Sequence, residues 1–295
     1  MRYSRIKKSQ SKKSYATLLL VVLLGFLILY IAFAGTLGKF VSNWISPIFS
    51  GEDSEKTPGN NLEDPVLTLP GETSKPVADS EKISDNLKAN ALVMYTVQMG
   101  AFSEAENAQS YAKELKALGG GAYILNDGFH RVLAVGYQLE EDAQKVRKDL
   151  ASNGIESHIF KLATAGADMK ITASEENVGA IRSAYEIWEE KYHLLEQMVI
   201  QLDSGAISVN DTYNKINELK KDMESKRDRL RELNNNQSNN VILEGLVTLY
   251  DKTCLSFEKI LSQNSSDKVA ISAEIKYTYI DMLMQYKEYM EQITN

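Results

Sequence analysis

Hydrophobic and polar positions change their spacing several times along the chain. From Ser14 to Gly38 there are 25 residues without a charge, centred on LLLVVLLGFLILYIAFA. At about 1.5 Å per residue this run crosses a hydrocarbon layer of ~30 Å, which predicts a transmembrane helix over 15–38. A cleaved signal peptide is the competing reading, because Ala32, Phe33 and Ala34 form a small-x-small site. The apolar run is, however, longer than the ~7–15 residues of an ordinary signal h-region. Beyond it periodicity disappears. All five prolines (Pro47, Pro58, Pro65, Pro70 and Pro76) fall among Gly, Ser, Asp, Glu and Lys. Such a stretch buries too little to offset its ordering entropy, and it predicts a disordered tether over 39–90.

Strand and helix spacings then interleave over 91–163. Tyr95-Thr-Val-Gln-Met99 alternates with the period of a half-buried strand. Ser103 is placed to cap a helix whose apolar positions are Ala105, Ala108, Ala112, Leu115 and Leu118, ending at Gly119-Gly120-Gly121. Ala122–Leu125 and Arg131–Val135 flank the turn signal Asn126-Asp127-Gly128, Leu139–Leu150 is a second helix, and Ser157–Phe160 a last strand. An offset of 35 residues pairs Tyr95 with His130, Val97 with Val132, Ala108 with Ala143, Gly119 with Gly154, and Ile124 with Ile159. Two such halves predict a ferredoxin-like βαββαβ unit, with both helices on one sheet face and the other face left to water or a ligand.

From 170 to 295 the spacing is helical throughout. Val178, Ile181, Tyr185, Trp188, Tyr192, Leu195, Val199 and Leu202 step alternately by three and four. Comparable seams run through Asn210–Leu233, Val241–Leu261 and a last helix ending near Ile293, joined by short polar loops. Together they predict an antiparallel four-helix bundle, so that the whole chain reads as α+β. Tyr277, Tyr279, Met282, Met284, Tyr286 and Tyr289 of the last helix exceed what one apolar face needs, which suggests a surface for a partner protein, with solvated tyrosines as the commoner alternative.

Charge and composition narrow the chemistry. The net charge is -7, yet Arg2, Arg5, Lys7, Lys8, Lys12 and Lys13 crowd the first 14 residues, leaving 27 basic against 40 acidic residues behind them. The positive-inside rule therefore sets the stub 1–14 in the cytoplasm and the acidic body outside a cell membrane crossed once. An acidic body argues against nucleic-acid binding, although βαββαβ sheets also bind RNA. One cysteine, Cys254, and three scattered histidines give no metal-ligand spacing and no cofactor site. No nucleophile elbow, phosphate loop or dinucleotide fingerprint is present, so no catalytic residue is assigned.

The motif Tyr95-Thr-Val-Gln-Met-Gly-Ala-Phe102, followed by Ser-Glu-Ala-Glu-Asn-Ala108, Gly121-Ala-Tyr-Ile124, His130-Arg-Val132 and Gly136, resembles the sporulation-related repeat (SPOR) domain family. The resemblance covers 91–163. It implies binding to peptidoglycan glycan strands stripped of their stem peptides, without catalysis, in a division or sporulation protein concentrated at septa. Strand alternation puts Thr96 and Gln98 on the face away from the helices, joined through the repeat by Tyr123, Arg131, Leu133 and His158, with Leu125 and Phe160 beside them. Amide, guanidinium, phenol and imidazole groups among apolar surface suit a sugar chain. Gln98 matches the family's glutamine, and Arg131 the arginine that often opens its third strand. Gly136 lies one residue later than in many members, and a one-residue slip there would turn Arg131 inward. The alternative function is a targeting subunit or remnant of a cell-wall hydrolase.

Overall fold

The computed structural model describes residues 82–235 and 240–294, and the backbone of 66–68. The basic stub, the membrane-spanning segment with its cleavage alternative, and most of the tether lie outside the described residues. Among the described residues no helix is long and apolar enough to cross a membrane.

The middle unit follows the expected order: β3 (Val93–Phe102), α1 (Ala105–Ala117), β4 (Tyr123–Asn126), β5 (His130–Tyr137), α2 (Glu140–Ser152) and β6 (His158–Ala163). Its sheet has the order β4-β5-β3-β6, with every neighbouring pair antiparallel. The internal repeat is visible in the backbone. Ala108 and Ala143 are both fully buried under the sheet, and Gly119 and Gly154 follow the two helix C-caps with φ of 93° and 75°, a left-handed conformation that glycine adopts without strain. The N-cap of α1 is Glu104 rather than Ser103, and no side chain bonds to that helix end.

Two strands bracket this unit. β2 (Lys82–Ala89) leads into β3 and β7 (Ala167–Ser174) follows β6; they pair antiparallel, and β1 (Val66–Thr68) joins β7 in parallel. The tether expected over 39–90 is thus ordered over 82–89. Lys, Ser, Asp and Asn in β2 have poor strand propensity, but eight residues of ladder with β7 and the burial of Leu87 and Ala89 outweigh it.

Four long helices complete the chain: α3 (Glu175–Ser204), α4 (Val209–Asn235), α5 (Val241–Ser262) and α6 (Lys268–Thr294). Ser174 caps α3 by accepting from Asn177 N, and Asn240 caps α5 by accepting from Leu243 N. Cross-helix contacts fix their directions. Glu176 meets Arg229 and Gln201 meets Lys215 between α3 and α4. Lys252 meets Glu288 and Lys259 meets Glu274 between α5 and α6. Tyr185 meets Tyr289 and Asp203 meets Ser272 between α3 and α6. Each of these pairs runs antiparallel, and all eight seam residues of α3 are buried.

The unexpected element is where α6 lies. One side of it completes the bundle, and the other covers the sheet face that the sequence leaves open. Met94, Leu133 and Leu162 of the sheet share one continuous core with Tyr279, Leu283 and Tyr286. α6 comes so close that a Cβ at Gly121 would lie 2.8 Å from Tyr277 N. Polar groups fix the contact: Glu274, fully buried, takes Lys116 from α1 at 2.5 Å and Lys259 from α5 at 2.7 Å. Burial pushes the Glu274 carboxyl up, but the hydrogen bonds from those two ammoniums outweigh it and hold the group below its usual range. Lys276, also fully buried, donates to the Gly119 carbonyl at 2.9 Å and pairs with buried Asp203 at 2.8 Å. The aromatic surplus of α6 is therefore met within the chain: Tyr277 packs on Tyr123 with ring centroids 5.3 Å apart.

Removing one member of the fully buried Lys276–Asp203 pair leaves the other uncompensated. Lys276→Ala should cost about 3–5 kcal/mol in urea unfolding, and the apolar pair Lys276→Met with Asp203→Leu much less. A single-variant loss under about 1 kcal/mol would show that this pair does not hold α6 against α3, where Lys276 is placed to reach the Gly119 carbonyl.

Candidate functional site

With α6 in place, the outer sheet face divides in two. Thr96 and Leu133 do point away from α1 and α2, but both are fully buried, and the Thr96 hydroxyl donates to the Phe160 carbonyl at 2.8 Å. Tyr123 is half-buried against Tyr277, and burial pushes its phenol well above the usual range. The expectation that the whole face meets solvent is thus corrected by the bundle, which occupies the half carrying these three residues.

The other half is open and holds Gln98, Arg131 and His158 together. β3 and β5 reach this arrangement through two irregularities. Val97 pairs with Val135 and Gln98 with Leu133, so Ala134 is extra on β5; Gly100 then pairs with Val132, so Met99 is extra on β3. The two bulges cancel, and Arg131 emerges on the outer face beside Leu125 of β4. Arg131 Nη1 donates to Gln98 Oε1 at 3.1 Å, and Arg131 Nε donates to the Asp127 carboxylate at 2.9 and 2.8 Å. The guanidinium lies 4.8 Å from the Phe160 ring centre and 5.5 Å from that of Phe129. Contacts of this kind contribute roughly 0.5–1 kcal/mol each at exposed sites.

These contacts decide what the site can offer. Gln98 is only 6% exposed and spends its carbonyl on Arg131, so its amide NH₂ is the end left for a ligand. Arg131 likewise retains Nη2. Two donors thus stand together, framed by Phe160, Leu125 and Phe129, the last 51% exposed. His158 pairs in register with Gln98 and stands at the open edge of the sheet, 3.7 Å from Glu156. The arrangement can hydrogen-bond an acetamido carbonyl, hydroxyl or carboxylate while flat rings pack on a pyranose face. Asp127 and Phe129 were missed in the sequence because the turn reads only as a turn. A large apolar residue directly after Asn-Asp-Gly is the signal that could have found them.

Two further groups have no role in this surface. Cys254 is buried in the bundle, and burial pushes its thiol up to about 11, which keeps it protonated at neutral pH. Among the described residues no three His, Cys, Asp or Glu side chains converge on a metal position.

The Asp127 carboxyl is held below its usual range chiefly by the hydrogen bond from Arg131. A depressed carboxylate keeps its partner above its folded pKa and loses it as pH falls through that value. The Arg131 Nε–H resonance should therefore stay protected from exchange down to pH values where ordinary aspartates are already protonated, and be lost below. In Asp127→Asn it should exchange freely at pH 7. Equal protection in that variant would contradict the arrangement.

No curated protein and no solved structure matches the chain. The family evidence comes from the sheet and its two helices: residues 94–161, from the first core residue of β3 to the middle of β6, match the family model of the SPOR domain.

Proposed function

We propose that this protein is a non-enzymatic peptidoglycan-binding protein, anchored in the cell membrane by residues 15–38, that holds septal glycan strands lacking stem peptides on the open half of its sheet. SPOR domains bind peptidoglycan and are not catalytic. The observation that carries the reading is the paired donor set of Gln98 and Arg131, fixed by Asp127 and Phe160 on a solvent-facing sheet. Polar groups held in place before binding lose little freedom when a flexible sugar chain docks. Stem peptides would crowd this surface against the wall formed by α6 and Tyr123, which supports a preference for denuded strands. The tether would let the anchored head reach the wall.

Gln98, Arg131 and His158 are the contacting residues and Tyr123 stands in the end wall, whereas Thr96 and Leu133 are fully buried and out of a ligand's reach. A division or sporulation partner would meet the outer side of the bundle, where Leu255 of α5 is 64% exposed, because the aromatic side of α6 is already occupied.

Co-sedimentation of the full-length chain with purified peptidoglycan, before and after amidase removes the stem peptides, tests the function. Binding should rise on denuding and fall roughly 10-fold or more in Gln98→Ala and in Arg131→Ala, if each removes one or two charge-assisted or neutral hydrogen bonds, while Arg131→Ala, which also loses its Asp127 and ring contacts, should still unfold cooperatively at a modestly lower melting temperature. Wild-type protein that sediments with neither preparation would overturn the proposal.

A further inference from the structure

A groove of about 390 Å³ runs along the outer edge of β6, between that strand and α2. Such a volume lies in the ordinary range of ligand sites, and β6 is an edge strand, paired only with β3 among the described residues. An edge of this kind leaves backbone donors and acceptors for a ligand. His158 lines the groove and is also the register partner of Gln98, so the groove continues the open sheet face around the edge. From His158 to Lys161 the strand advances about 10 Å.

Its chemistry differs from that of the sheet face. Lys161 lies over the Tyr95 ring, 5.7 Å from its centre, and Arg147 donates to the Gln144 amide at 3.0 Å. Neither cation has a carboxylate partner among the described residues. The Glu140 carboxylate in the groove is engaged by Gln144 at 3.4 Å instead. In a chain of net charge -7, two exposed cations beside an aromatic ring mark a place suited to an anionic group on a ring-shaped ligand.

We propose that this groove is a second subsite, one that takes a carboxylate-bearing sugar of the strand held on the sheet; it rests on the reading of that face as a glycan site. The lactyl group of muramic acid ends in an amide when a stem peptide is attached and in a free carboxylate once the peptide is cut away. Arg147 and Lys161 would read that difference directly. Selectivity for denuded strands then has a charge component here, added to the steric component at the α6 wall.

The test uses the full-length chain and three probes: amidase-denuded glycan strands, the same strands with their carboxylates converted to methylamides, and oligomers of N-acetylglucosamine. Wild-type protein should bind the denuded strands about 5- to 10-fold better than the methylamide form, the gain of one or two charge-assisted hydrogen bonds. Arg147→Gln with Lys161→Gln should abolish that preference and leave binding to the methylamide form and the oligomers unchanged. Both side chains are exposed, so the melting temperature should not move. If the double variant keeps the preference while Gln98→Ala loses binding, the subsite is wrong and the sheet-face reading stands. If wild-type protein binds none of the three probes, both fall together.

Discussion

From Ile271 to Leu283 helix α6 has almost no free side, and the rest of the structure is arranged around that constraint. Of the thirteen residues from Ile271 to Leu283, all but Tyr277 and Asp281 are buried, a distribution expected of a helix packed on every face. It needs the bundle on one side and the SPOR sheet on the other. Burying Met94, Leu133 and Leu162 of the sheet is worth roughly 1.5–3 kcal/mol for each side chain. Glu274 and Lys276 reach into the sheet unit from the same helix, and a buried ion left without its partner costs several kcal/mol more. Bundle and sheet therefore behave as one body, and β2 and β7 fasten the entry and exit of the sheet unit to the same core.

That union decides how the binding face is used. A sheet with helices on one side only would present four strands to a ligand. Here half of that width is spent on internal packing, and the remaining half is compact and rigid, with Arg131 held by Gln98, Asp127 and two rings. The surrounding bundle supplies a wall that a bare domain of this kind lacks. Selectivity can then arise from what fits beside the wall as well as from what the donors bond.

The elements with strong periodicity were legible in the sequence. The α3 seam from Val178 to Leu202 and the 35-residue repeat both appear in the structure as read, because each encodes a local period and a buried stripe. Gln98, Arg131 and His158 could be placed on one face from strand alternation. Three features could not. β2 has the composition of a tether, and its order comes from pairing with a strand some eighty residues away. Its own trace is the weak alternation Ile83, Leu87, Ala89, interrupted by Asp85, and that of its partner β7 is Met169, Ile171, Ala173. The compensating bulges at Ala134 and Met99 preserve the face of Arg131 in a way that no single-strand pattern reveals. The covering of Leu133 and Tyr123 by α6 is a tertiary choice: the excess of tyrosine and methionine in that helix left a partner surface open as a reading, but not that the partner was the chain's own sheet.

Hydrogen–deuterium exchange of the full-length chain, with and without amidase-denuded glycan strands, tests the union of sheet and bundle most directly. Binding should add protection at 125–131 and 158–161, with α6 and 133–137 equally protected in both states. Faster exchange in α6 when the glycan binds would show the bundle lifting from the sheet to free the whole face, and would contradict the account.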